Sequence, residues 1–217
     1  MPLNSIAIIG MACRFPGGVR TPEEYWQLLR CGRDGVTQIP ADRWDVGAYF
    51  DPDPKAPGKM YTVHGGFLSD VDLFDPQLFG ISPHEASHID PQQRLLLEVG
   101  WEALERAGQA PDELEGTSTG VFVGMCTDDY SVGRFFSGDC RNINPYNTLS
   151  ALRSIAAARL SYFFGCRGPA IQVDATCSSS LLAAHLACQS LRLGECDLAL
   201  AGGVGLILSP EFTIGLC

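Results

Sequence analysis

The stretch Val173-Asp-Ala-Thr-Cys177-Ser-Ser-Ser-Leu-Leu-Ala-Ala184 sets the class of this protein. It begins where an apolar run, Ala170-Ile-Gln-Val173, reads as a short strand, and it leads into a helical stretch closed by Gly194. A further apolar run, Asp197-Leu-Ala-Leu-Ala201, follows at once. Strand, helix and strand at this spacing predict a parallel crossover and an α/β class. The helix is expected to start at or just after Cys177.

That placement has chemical consequences. First-turn amides of a helix lack intrahelical partners and, with the helix dipole, favour negative charge. A cysteine there is biased toward thiolate, the nucleophilic form. The same amides can receive the oxyanion formed when a thiolate attacks a thioester carbonyl. Behind Cys177 lie Leu181, Leu182, Ala183, Ala184, Leu186, Ala187, Cys188, Leu191 and Leu193, which predict a helix buried on all sides. Burial would strengthen the dipole. The local pattern fits equally well a small residue at a crowded strand–helix junction.

On the N-terminal side of this stretch, Gly120-Val-Phe-Val-Gly124 is another strand candidate. Residues 147–164 read as one helix, with Leu149, Leu152, Ile155, Ala156 and Leu160 as its inward stripe. Asp90-Pro91 opens a helix ending near Gly108, with Leu97, Trp101 and Leu104 facing inward. Thr21-Pro22-Glu23-Glu24 carries a capping box. Residues 33–60 form a long ordered excursion studded with aromatics, and Ser5–Gly10 reads as a buried strand.

The 217 residues suffice for one domain of good size, or two small ones, with a buried core. Lys and Arg number 15 against 25 Asp and Glu, a net charge of -10 that offers no basic face for nucleic acid or anionic lipid. No signal peptide is visible and no apolar run reaches the ~20 residues of a membrane span, so a cytoplasmic protein is expected. The nine cysteines include no C-x-x-C pair, which predicts free thiols, mostly buried as small hydrophobes.

Three patterns are set aside. His84-Glu-Ala-Ser-His88 matches a zinc-protease motif, but Pro83 and Asp90-Pro91 leave no room for the long helix it requires. Gly202-Gly-Val-Gly205 lacks the helix and spacing of a dinucleotide turn, so close packing is the better account of its glycines. Ser178–Ser180 has no G-x-S-x-G elbow and reads as helix capping.

Asp174-Ala-Thr-Cys-Ser-Ser-Ser-Leu181 resembles the Asp-Thr-Ala-Cys-Ser-Ser-Ser-Leu signature of β-ketoacyl synthases, the ketosynthases of polyketide assembly. Ile6-Ala-Ile-Ile-Gly-Met-Ala-Cys-Arg-Phe-Pro-Gly17, Phe79-Gly-Ile-Ser-Pro83, Asp90-Pro-Gln-Gln-Arg-Leu-Leu-Leu-Glu98 and Arg159-Leu-Ser-Tyr-Phe-Phe-Gly165 are similar to further blocks of that family, in the same order. The resemblance implies a thiolase-like α/β fold, with residues 1–217 as the N-terminal region of the domain, and a homodimer. It implies that Cys177 is the catalytic nucleophile and that its backbone amide is one donor of the oxyanion hole. An acyl carrier protein would deliver the acyl chain on phosphopantetheine, in polyketide or fatty acid synthesis, alongside an acyltransferase and other synthase domains. Neither a bound cofactor nor a metal is implied, because loss of carbon dioxide from a malonyl-type extender supplies the carbanion.

Two departures stand out: Ala175-Thr176 replaces Thr-Ala before the cysteine, and Ser150 lies where the family usually has glycine. The family's two catalytic histidines, in His-Gly-Thr-Gly-Thr and Asn-Ile-Gly-His motifs, have no counterpart among His64, His84, His88 and His185. His185 sits eight residues beyond Cys177, about 12 Å along a helix, and is too far to act as its base. The chain alone is therefore expected not to condense acyl chains. The alternative is a non-catalytic fragment or dimerising partner.

Overall fold

Cys177 follows a strand of a three-stranded parallel sheet. In the computed structural model, residues 5–135 and 140–217 are described. Their helices are α1 (Pro22–Arg30), α2 (Val46–Tyr49), α3 (Pro83–Ala86), α4 (Pro91–Arg106), α5 (Asp129–Phe135), α6 (Pro145–Ser150), α7 (Ile155–Phe163), α8 (Ser179–Leu193) and α9 (Glu211–Leu216). Their strands are β1 (Thr37–Gln38), β2 (His64–Gly65), β3 (Thr119–Met125), β4 (Ala170–Val173) and β5 (Leu198–Val204). The residues form two units, one from 5–12 with 71–205, the other from 13–70 with 206–217.

In the larger unit the strand order is β4-β3-β5, all parallel, with Gly124 opposite both Val173 and Gly203. Alternation along β3 sends its side chains to two faces. Val121, Val123 and Met125 meet Leu97 and Leu104 of α4 and Ala156, Ala157 and Leu160 of α7. Phe122 meets Ala183 and Ala187 of α8, together with Cys196. The sheet is thus covered on both faces, as the continuous apolar pattern of a parallel strand requires, and the predicted α/β crossover is present.

α8 differs from its sequence expectation. It is not buried all round: Ser179, Ala183, Ala187 and Ser190 form the buried stripe, while Leu181 and Leu193 are each 74% exposed. The sheet meets only one side of the helix, and small residues line that side so that helix and strands approach closely. Gly124 and Gly203 extend this. A Cβ on Gly124 would lie 2.5 Å from the carbonyl carbon of Ser179, and one on Gly203 would lie 2.6 Å from the Ser180 Cβ. Close packing therefore accounts for Gly203; around Gly202 and Gly205 the space is open.

Three further expectations change. Residues 147–164 are two helices, α6 and α7, separated at 151–154, and Leu149 and Leu152 are exposed while Ala156 and Leu160 are buried. Residues 5–10 form no ladder with any described strand, and Ile8 is 80% exposed. They lie instead against α4, where a Cβ on Gly10 would collide with the Ala103 carbonyl. Among the described residues none of the nine cysteines forms a disulfide, as expected, but Cys196 alone is fully buried.

The smaller unit has α1 with the predicted capping box, in which Thr21 Oγ1 accepts the Glu24 amide. The antiparallel pair β1–β2 and a cluster of Ile39, Trp44, Met60 and Phe67 complete it. Trp44 of the 33–60 excursion is thus core, with Tyr49 packed against it. Among the described residues no helix is long and apolar enough to cross a membrane.

Candidate active site

The carboxyl ends of β3, β4 and β5 form one edge, the side on which parallel α/β sheets place their ligands. Asp174-Ala-Thr-Cys177 leaves β4 there, and Cys126 follows β3. The helix does not begin at the cysteine. A 3-10 turn, Thr176–Ser178, precedes α8 at Ser179. In that turn the Ser178 amide donates to the Ala175 carbonyl and the Ser179 amide to that of Thr176. Two of the expected free amides are therefore occupied. The amide of Cys177 itself donates to no group among the described residues, and the residue is exposed.

Thr176 holds φ at +49°. A β-branched residue there is an outlier, because its side chain crowds the backbone, and such strain costs about 1–3 kcal/mol. Local hydrogen bonds maintain it. Asp174 Oδ1 accepts the Thr176 amide at 3.1 Å, and the Ser179 hydroxyl accepts the Ala175 amide and donates to the Thr176 carbonyl. Ser178 does not cap the helix, because its hydroxyl donates to the Ala175 carbonyl. Together these bonds fix a sharp strand-to-helix turn that contains the exposed Cys177.

One residue ties this turn to its neighbour strand. Arg153, in the break between α6 and α7, donates through Nη1 to Asp174 Oδ2 at 2.6 Å and to the Cys126 carbonyl at 3.0 Å. A pair about one-third exposed adds about 0–1 kcal/mol to stability; its consequence is geometric. Burial pushes the Cys126 thiol up, and Asp174 and Cys177 raise it further by charge. Residue patterns did not single out Arg153, because the spacing around it read as one uninterrupted helix.

Beneath the edge lies a buried polar cluster at the start of α4. Asp90 caps that helix by accepting the Gln92 amide, while its own amide donates to the Ser150 hydroxyl at 2.7 Å. Serine at the position where glycine was expected thus supplies a hydrogen bond. Gln92 Nε2 donates to the Thr127 carbonyl, and the Thr127 hydroxyl donates to Gln92 Oε1, which anchors the segment after Cys126. Arg159 donates to Gln93 Oε1 and Glu85 Oε1, both at 3.2 Å.

None of the four histidines is hydrogen-bonded to Cys177 among the described residues. His185 is exposed on α8, and His64 belongs to the smaller unit. His84 and His88 pack on each other with ring centroids 4.8 Å apart, and one ring nitrogen of His88 lies 2.8 Å from the His84 carbonyl. The segment makes a single helical turn, too short to present two ligands on one helix face. Among the described residues no cluster of three or more His, Cys, Asp or Glu is disposed to hold a metal.

An exposed cysteine on a strained turn at the carboxyl edge of a parallel sheet, backed by a helix whose buried stripe is small, marks an α/β protein, and its likeness to solved ketosynthase domains makes the class thiolase-like. The family it matches is β-ketoacyl synthase, N-terminal domain, over residues 3–217, and the chain belongs to that family. It is 54% identical over 211 residues to a phenolphthiocerol/phthiocerol polyketide synthase protein of Mycobacterium tuberculosis, covering 97% of this chain and 11% of that protein. It is 54% identical over 206 residues to polyketide synthase GfsB of Streptomyces halstedii, covering 94% of this chain and 4% of that one. Among solved structures, an oxazolomycin ketosynthase domain of Streptomyces albus JA3453 superposes with a TM-score of 0.89 at 44% identity, covering 96% of this chain and 36% of that one. The ketosynthase from module 6 of the bacillaene synthase of Bacillus subtilis 168 gives 0.83 at 40%, covering 97% and 33%. The chain thus spans about a third of each solved ketosynthase and a small share of the curated relatives.

Proposed function

We propose that Cys177 is the acyl-accepting nucleophile of a condensing enzyme of polyketide synthesis, and that residues 1–217 are the N-terminal region of its ketosynthase domain. The Cys177 thiolate attacks the carbonyl of an acyl thioester held on the phosphopantetheine of an acyl carrier protein. The oxyanion of the tetrahedral intermediate is received by the Cys177 amide, whose N–H is uncommitted among the described residues. Collapse of that intermediate breaks the bond to the carrier sulfur and leaves the acyl group on Cys177. A malonyl-type extender then loses carbon dioxide, and its carbanion attacks the Cys177 thioester. The Cys177 thiolate departs, leaving a β-ketoacyl chain two backbone carbons longer on the carrier.

The observation that carries this reading is the exposed Cys177, raised on a strained turn with its own amide free. Neither family histidine motif occurs within the 217 residues, so these residues supply acyl loading and not the decarboxylative step. A homodimer, a carrier protein, an acyltransferase and companion synthase domains belong to the same proposal.

Intact-mass spectrometry after incubation with an acyl-pantetheine thioester tests it, on the full-length polypeptide that carries this chain. One acyl adduct on Cys177, absent in Cys177→Ala, is expected. Equal loading of Cys177→Ala would overturn the assignment, and a wild type that never loads would favour a non-catalytic dimerising role.

A further inference from the structure

We infer that Arg153 is a positioning residue for Cys177, acting through Asp174. This rests on the acyl-acceptor role proposed above. Arg153 stands in the break that divides α6 from α7. Were 147–164 one continuous helix, residue 153 would be an ordinary turn of it; the break frees the side chain to reach the sheet edge. From there a single guanidinium nitrogen joins the ends of two strands, donating to the Cys126 carbonyl after β3 and to the Asp174 carboxylate after β4. The second carboxylate oxygen of Asp174 accepts the amide of Thr176, the residue held at φ +49° next to the sulfur.

The chain of contacts therefore runs from Arg153 to Asp174 to the Thr176 backbone to Cys177. Both partners are about one-third exposed, with side-chain exposures of 37% and 35%, so the pair contributes little to stability. What it fixes is the orientation of the carboxylate, and with it the plane of the Ala175–Thr176 peptide, one residue before Cys177. It also offsets a negative charge three residues from a sulfur that must itself carry one, at the moment an oxyanion forms beside it. Arg suits the task better than Lys, since its planar head holds carboxylate and carbonyl in fixed directions.

Single-turnover acyl loading of Cys177, measured on the full-length polypeptide for wild type, Arg153→Leu, Arg153→Lys and Arg153→Leu with Asp174→Asn, tests the inference. Arg153→Leu is expected to load about tenfold more slowly at saturation, with less than about a twofold change in the half-saturating thioester concentration. Arg153→Lys should recover part of the rate. Replacing Asp174 by Asn in the leucine background should recover part as well, because it removes the uncompensated carboxylate. Saturating rates within about twofold of wild type in Arg153→Leu would overturn the inference while leaving Cys177 as acceptor. So would a slow Arg153→Leu whose thermal midpoint falls in step and which neither second variant rescues, for that is a folding defect. Loading that persists in Cys177→Ala would instead sink the acceptor role itself.

Discussion

Gly124 of β3 lies so close to Ser179, the first residue of α8, that a Cβ there would sit 2.5 Å from the Ser179 carbonyl carbon and 2.6 Å from the Ser180 amide nitrogen. Both obstacles are backbone, so neither can rotate aside. The strand and the helix that follows Cys177 are in contact because this position has no side chain.

Gly124→Ala is accordingly expected to destabilise the protein by about 3 kcal/mol, through displacement of the helix. Gly202→Ala, where nothing lies within 4 Å of the added carbon, should change stability by less than about 0.5 kcal/mol. Urea unfolding of the two variants checks the contrast; equal effects would mean the close approach is not rigid.

The two sides of α8 should respond oppositely. Ala183 is fully buried against Phe122, so Ala183→Leu overpacks the layer and is expected to cost about 1–3 kcal/mol. Leu181 points outward, and Leu181→Ala should fall within about 0.5 kcal/mol of wild type in this chain. Urea unfolding reads both, and a loss above about 2 kcal/mol for Leu181→Ala would show that a second layer covers the helix.

Asp90 makes stability depend on pH. Burial raises its pKa from 3.8 to about 6, outweighing the Gln92 hydrogen bonds and the Arg94 charge that lower it. A carboxyl that binds its proton more tightly folded than unfolded favours the folded state below about pH 4, and that favour is lost as pH rises through about 6. The contribution is about 3 kcal/mol across the window. Subtracting the pH profile of Asp90→Asn from that of wild type should isolate a decline between about pH 4 and pH 6. A flat or rising difference would refute the protonated, buried carboxyl.

Thr176 carries its strain in the backbone. Thr176→Gly removes the crowding at φ +49°, and the relief offsets the extra entropy of an unfolded glycine. The variant should be neutral or more stable, by up to about 1 kcal/mol, in thermal unfolding. Clear destabilisation would mean the Thr176 hydroxyl, which donates to the Ala175 carbonyl, outweighs the strain.

Residue order alone was enough to place strands at 120–124, 170–173 and 197–201, which the structure sets at 119–125, 170–173 and 198–204, as well as the helices opened by Thr21 and Asp90 and the cysteine at a strand–helix junction. Each is written in nearest-neighbour terms: apolar runs, caps and glycine stops act over a few residues of chain. Which apolar residues are covered emerged only on folding, since Leu181 and Ala183 differ in burial through the sheet that meets one side of α8. Folding likewise left 5–10 without a ladder partner, broke 147–164 at 151–154, and thereby let Arg153 reach the Cys126 carbonyl and Asp174. Those contacts join residues 21 and 27 positions apart in the chain. Periodicity reports the pattern of a segment and carries no information about the partner that will complete it, so the cysteine was legible and the side chain that orients its turn was not.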